Sequence, residues 1–245
     1  MAVRSVEEVV AGRLISSCVA VAPPGPAVCR VCFAGTTPRW PTCPTCRDVS
    51  RQLGHHLVPV TPISLVTKDS GLYRALRQYK SGEPSVARNQ CRALGALVAL
   101  FVRRHLPCLA PNGVDTVLVV PSVDHNRPPP HPLLTVLDGV PGIPQASTML
   151  RAGPGSPGHR SPAIDGYVCD TPIEGRRVLL CDDTYTTGAH LQSAAHALVE
   201  AGAAGVHPLV IGRYVQPNWP GSQPIMAWAN RHRWTPDLCV HCAPR

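Results

Sequence analysis

The chain has 245 residues, 44% of them apolar, and a formal net charge of +8. That length accommodates one good-sized α/β core with a small appended module. No stretch approaches the roughly 18 uninterrupted apolar residues of a membrane-spanning helix. Arginine supplies nearly all the positive charge, since Lys68 and Lys80 are the only lysines. A basic surface of this kind suits a phosphate-bearing ligand or nucleic acid and does not choose between them. Aromatics are scarce, so aliphatic side chains must build the core.

Glu7 and Glu8 stand where a signal peptide would carry its positive region, which predicts a cytoplasmic chain. Residues 27–47, AVCRVCFAGTTPRWPTCPTCR, form a dense Cys/Pro patch, and residues 1–58 are assigned to an N-terminal module around it. Six of the eleven cysteines lie in Cys-x-x-Cys pairs, which in a reducing compartment favours metal over disulfides or unliganded thiols. Cys29-x-x-Cys32 and Cys43-x-x-Cys46 supply four thiolates for a tetrahedral structural zinc. Such an ion would stabilise a module too small to fold on its own core.

Residues 59–214 alternate strand-like with helix-like segments. The clearest helix is 85–105, where Leu94, Leu97, Val98 and Phe101 fall on one face of a roughly 3.6-residue period between Pro84 and Pro107. Asp115–Pro121 contains an apolar, β-branched run that reads as a doubly buried parallel strand. A proline-rich loop (121–132), a short helix at 133–138 and a weak strand near 143–150 follow. RAGPGSPGHRSP at 151–162 reads as a mobile loop, then a strand at 177–181, a helix at 188–201 and a buried strand at 206–212. This order predicts a mostly parallel sheet covered on both faces. The tail, 215–245, carries three tryptophans and a third pair, Cys239-x-x-Cys242, and has no assignable structure. One pair is half a metal site. His232, the His55-His56 step or an N-terminal pair could complete it, or the tail is free. Cys18, Cys91, Cys108, Cys169 and Cys181 are expected to pack as small hydrophobes, and His190 and His196 to be exposed on their helix.

The stretch Arg176–His190, RRVLLCDDTYTTGAH, drives an apolar strand into two adjacent carboxylates and then into threonines and a glycine. In an open parallel sheet, ligands sit at the carboxyl ends of the strands. Side-by-side carboxylates there need partners, either a vicinal diol or a hydrated divalent cation. The following turn into a helix offers backbone N–H groups and the hydroxyls of Thr186 and Thr187 to a phosphate. Together these describe a site for a ribose 5-phosphate.

VLLCDDTYTTGAH resembles the phosphoribosyl-pyrophosphate (PRPP) signature of type I phosphoribosyltransferases. Two Cys-x-x-Cys pairs, then Tyr79-Lys80 in a basic helix (LYRALRQYKSG), then this motif follow the order of the ComF-like, or GntX-like, members across residues 27–213. The resemblance implies that Asp182 and Asp183 hold the ribose hydroxyls and that Thr184, Tyr185, Thr186, Thr187 and Gly188 hold the 5-phosphate. Pro121 and Ser122 would lie against the pyrophosphate. Mg²⁺ would enter with PRPP, a nitrogen nucleophile would displace pyrophosphate, and a homo-oligomer is expected. Lys80 either reaches a pyrophosphate oxygen or is a solvated helix-end lysine, while Tyr79 is expected to pack. Arg127, Arg151 and Arg160 lie in loops near the strand ends, where guanidinium forks could grip phosphates.

The chain departs from the family at His190, where Thr is usual, and in loop 121–132, which keeps only Arg127 of an Arg-rich stretch. It begins Met1-Ala2-Val3 instead of with a cysteine nucleophile, so ammonia release from glutamine is not expected. The alternative is a non-catalytic ComF-like accessory to DNA uptake, or a nucleotide-sensing regulator on the same fold. Zinc knuckles and the +8 charge permit nucleic-acid contact. The scattered aromatics do not make the stacking platforms of single-strand binders.

Overall fold

A computed structural model describes residues 5–54, 57–122 and 130–242. The N-terminal part carries α1 (Val6–Val10), α2 (Gly12–Ile15) and α3 (Pro44–Gln52). There follow β1 (Thr61–Val66), α4 (Gly71–Ser81), α5 (Pro84–Leu109), β2 (Thr116–Val119) and α6 (Pro132–Leu137). The rest comprises β3 (Ala146–Ser147), β4 (Leu150–Ala152), β5 (Tyr167–Cys169), β6 (Arg177–Tyr185), α7 (Ala189–Glu200), β7 (Gly205–Tyr214) and α8 (Gln223–Arg231). No helix is long and apolar enough to cross a membrane among the described residues.

Five strands form a parallel sheet in the order β1-β7-β6-β2-β3. The central strands alternate between two cores, as a sheet buried on both faces requires. Val117, Val119, Leu179, Cys181, Leu209 and Ile211 pack with α4, α5 and α6. Leu118, Val120, Val178, Leu180, Val206 and Val210 pack with α7, α8 and the cysteine-rich module. Burying a Leu or Val of this size is worth roughly 1.5–3 kcal/mol each, so the two cores hold both appendages to the sheet.

The α5 stripe behaves as its spacing predicts: Leu94, Leu97, Val98 and Phe101 are all buried. The helix, however, runs past Pro107 to Leu109. A proline one turn from the end removes a single backbone bond, and the Ala110 amide still closes on the Leu106 carbonyl at 2.8 Å. Segment 151–162 includes the end of an antiparallel ribbon, with β4 paired to β5. The tail is also ordered: Trp234 is buried and its indole N–H donates to the Ile63 carbonyl at 2.7 Å.

Candidate functional site

The chain leaves β2 toward β3 on one side of the sheet and leaves β6 toward β7 on the other. The point where strand order reverses therefore lies between β2 and β6. A parallel sheet opens a crevice at such a point, outside the carboxyl ends of its strands. Pro121 and Ser122 follow β2 there, and the Val120 amide donates to the Cys181 carbonyl at 3.0 Å, holding them beside Asp182.

Strand β6 is longer than 177–181. It continues through the acid pair to Tyr185, because β7 keeps pairing with it: Asp182 opposite Val210, Thr184 opposite Gly212, Tyr185 opposite Arg213. The pleat therefore divides the acids. Asp182 is half-buried, and its Oδ1 accepts the Asp183 backbone N–H at 2.8 Å. Asp183 is 3% exposed, and its Oδ2 takes both the Tyr79 hydroxyl and the Lys80 ammonium. Burial raises the Asp182 pKa first, and the neighbouring Asp183 charge raises it further, with Lys80 partly offsetting both. A carboxyl held up in this way is short of positive charge or donors. Tyr79 thus does more than pack, and Lys80 is no solvated helix end.

Beyond Tyr185 the chain turns into α7 through Gly188, whose φ is +86°. That conformation costs an L-residue steric strain. A Cβ at this position would also lie 2.0 Å from the Tyr185 hydroxyl oxygen. Tyr185 itself, expected among the phosphate contacts, is buried beneath the loop with its ring 5.1 Å from the Arg213 guanidinium. Its side chain supports the turn and does not face the cavity.

Over this turn lies a cavity of about 800 Å³. Thr184, Thr186 and Thr187 line it together with Arg77, Lys80, His159 and Arg160, while Tyr73, Tyr214 and Trp219 form another part of its wall; Asp182 and Asp183 are not among its lining residues. Thr187 Oγ1 donates to the His159 carbonyl, which brings segment 159–160 over the turn. Arg151, by contrast, is paired with Asp170 outside the cavity, and Arg127 falls outside the described residues. His190 and His196 are not exposed helix residues. His196 is 6% exposed, and His190 lies 3.1 Å from the Tyr167 hydroxyl, because β5 covers the face of α7 that the sheet does not. Burial lowers the pKa of His190, with His159 adding to the shift.

Among the described residues, two groups of side chains could hold a metal ion, one in the N-terminal module and one between α5 and the C-terminal tail. In the N-terminal module Cys29, Cys32, Cys43 and Cys46 are all buried, with their sulfurs within 4.8 Å of one another. Cys32 and Cys43 lie 3.7 Å apart, close to the ~3.75 Å edge of a tetrahedron built on a 2.3 Å Zn–S bond. The Cys46 amide donates to Cys43 Sγ at 3.5 Å. The predicted set is thus brought together, and its donors suit zinc.

Arg213 connects this cluster to the turn. Its side chain is buried, with Nε donating to the Cys32 carbonyl at 2.8 Å and Nη2 to Cys32 Sγ at 3.5 Å. Nη1 donates to the carbonyls of Thr186 at 3.0 Å, Tyr185 at 3.2 Å and Tyr214. Hydrogen bonding from Cys29 holds the Cys32 thiol well below the ordinary range, and the Arg213 charge adds to this. Sequence reasoning missed this residue. Its one signal was a lone arginine at the end of the apolar run PLVIGRY.

Cys239 and Cys242 do not meet His232, which stacks on Trp228 with ring centroids 3.9 Å apart, nor an N-terminal pair. His55 and His56 lie outside the described residues. The partners are His105 and Cys108 on α5, so Cys108 is not a packing cysteine.

Compared with known proteins, the chain matches no family model and no curated protein. The functional reading therefore rests on the site itself and on the motif it contains.

Proposed function

We propose that the protein binds PRPP at the carboxyl ends of β2 and β6 and transfers its phosphoribosyl group to a nitrogen nucleophile. The observation that carries this reading is the cavity wall. Thr184, Thr186 and Thr187 and the cations Arg77, Lys80 and Arg160 line it, and Lys80 reaches from it to Asp183, which with Asp182 lies just outside that lining. That combination suits a sugar bearing phosphate at one end and vicinal hydroxyls at the other.

In this reading the 5-phosphate lies on Thr184, Thr186 and Thr187, and the ribose hydroxyls donate to Asp182 and Asp183. The hydroxyls then take over part of the Asp183 carboxylate now held by Lys80, freeing the ammonium for the pyrophosphate. Asp182 and Asp183 would stand beside a Mg²⁺ ion that enters with the substrate, and the ion would supply charge neutralisation for the leaving group; the raised pKa of Asp182 fits a carboxylate with room for such a partner. The nitrogen lone pair attacks C1 as the C1–O bond breaks. The bonding electrons leave with pyrophosphate, and the nitrogen gives up a proton to water. The residues act by positioning and by charge, not by covalent chemistry. The wall of Tyr73, Tyr214 and Trp219 suits a planar acceptor.

Pyrophosphate release from PRPP, measured against a panel of heterocyclic and amine acceptors, tests the reading. Release by wild type and loss of roughly a thousandfold or more in Asp182→Asn/Asp183→Asn are expected. Release unchanged in the double variant contradicts it.

A second reading, a non-catalytic accessory to nucleic-acid handling, is favoured by Trp40. This tryptophan is 45% exposed on the cysteine-rich module, with the guanidinium groups of Arg39 and Arg47 5.5 and 4.8 Å from its ring centroid. Stacking beside cations is how single strands are held without sequence preference. Binding of a labelled oligonucleotide that is lost in Trp40→Ala, with no PRPP turnover, would replace the first reading by this one.

A further inference from the structure

A cluster of three cysteines and a histidine joins α5 to the C-terminal tail.

His105 and Cys108 stand three residues apart on the last turns of α5, a spacing that places both side chains on one helix face. Cys239 and Cys242 face them from the tail. Cys108 Sγ lies 3.7 Å from Cys239 Sγ and 3.6 Å from Cys242 Sγ, and Cys242 Sγ lies 3.3 Å from His105 Nδ1. All four ligand atoms fall within 4.8 Å of one another. The two sulfur separations match the ~3.75 Å edge of a zinc–thiolate tetrahedron and are far too long for the ~2.05 Å bond of a disulfide.

The surroundings orient the donors. His105 Nε2 lies 2.7 Å from the Pro236 carbonyl oxygen. A carbonyl only accepts, so Nε2 carries the proton and the Nδ1 lone pair points to the sulfurs. That is how metal-binding imidazoles are commonly held. The ring also rests on Phe101, 4.7 Å between centroids. Within the tail, the His241 amide donates to Cys239 Sγ at 3.5 Å, much as the Cys46 amide serves Cys43 in the N-terminal module.

We propose that His105, Cys108, Cys239 and Cys242 form a second, structural zinc site of Cys₃His type that clasps the tail to α5. Three thiolates and an imidazole in closed tetrahedral array suit zinc best among the common divalent metals. The clasp closes a loop of more than a hundred residues. Arg104 adds an ion pair to Asp237 at 2.8 Å beside it, and Thr61 Oγ1 meets His241 Nε2 at 2.7 Å. The segment so fixed includes Trp219 and Ser222 of the cavity wall and Trp234 of the core.

Metal content and cobalt spectroscopy on the full chain test it. Wild type should bind two zinc ions per chain. After replacement by Co²⁺, its thiolate charge-transfer band should have the intensity of seven cobalt–thiolate bonds. Cys239→Ser/Cys242→Ser should keep one ion, with the band falling to roughly four-sevenths. His105→Cys should keep two ions and raise the band to about eight-sevenths, a result that a purely packing role for His105 would not produce. Wild type binding one ion per chain with four thiolates' intensity overturns the proposal, whatever the variants do. Two ions retained in the tail double variant overturn it as well.

Discussion

Replacing Arg213 by Met removes a side chain that bonds at once to the cysteine cluster and to the turn before α7. Arg213 is 6% exposed, and its guanidinium serves the carbonyls of Cys32, Tyr185, Thr186 and Tyr214 and the sulfur of Cys32. Methionine fills most of the volume and ends the cost of burying a charge, so the loss comes chiefly from acceptors left without a donor. Each such group costs roughly 1–3 kcal/mol, and the charge no longer buried offsets part of the sum, which brings the net loss to about 2–4 kcal/mol. For a chain of this size each kcal/mol moves the midpoint by roughly 2–4 °C, so the zinc-loaded variant should melt about 5–15 °C lower. A zinc tetrathiolate carries two negative charges, and losing the nearby cation should weaken zinc binding about 10–100-fold in competition with a chelator. Arg213→Lys keeps the charge without the planar fork, so it should recover zinc affinity better than thermal stability. Melting within about 2 °C of wild type, with unchanged zinc affinity, would refute the link between the two sites.

Two further outcomes follow from the turn and the acid pair. Gly188→Ala forces a left-handed backbone on an L-residue and drives a methyl into the Tyr185 hydroxyl, so it should weaken PRPP binding at least tenfold in calorimetry while far-ultraviolet circular dichroism stays close to wild type. Asp182→Asn should stabilise the ligand-free protein in a pH-dependent way. The folded pKa of Asp182 is raised, to about 7, by burial and then by Asp183. Wild type therefore loses stability as pH rises from the ordinary carboxylate range near 4 to the folded value, and an amide does not titrate. The melting advantage of the variant should be small at pH 4.5 and largest above pH 7.5, with binding impaired throughout; an advantage that shrinks with rising pH would contradict the raised pKa of Asp182.

Much of this arrangement could be read from residue order. The β6–turn–α7 unit, the α5 stripe and the first two cysteine pairs are local patterns, in which spacing along the chain determines spacing in space. Strand β1 was missed because Pro62 and Ser64 interrupt its apolar run. It is an edge strand of the parallel sheet, where a missing donor is tolerated. The length of β6 was underestimated because charged residues usually end a strand, whereas here β7 pairs with both acids' neighbours and Lys80 neutralises Asp183. Tyr79, Arg213, His105 and Cys108 owe their roles to partners 104, 28, 131 and 131 residues away, respectively. No period or short motif reports such distances. Pro107, read as the end of α5, concealed the helical turn that sets Cys108 beside His105.

The central claim is that one phosphorylated sugar spans the acid pair and the threonine turn. Calorimetric titration of the zinc-loaded protein with PRPP in the presence of Mg²⁺, alongside Asp182→Asn/Asp183→Asn, tests it most directly. The account predicts saturable one-to-one binding by wild type and loss of at least tenfold in affinity in the double variant, with ribose 5-phosphate binding more weakly than PRPP. Absence of heat from a folded, zinc-loaded wild-type chain, or equal affinity in the double variant, would contradict it.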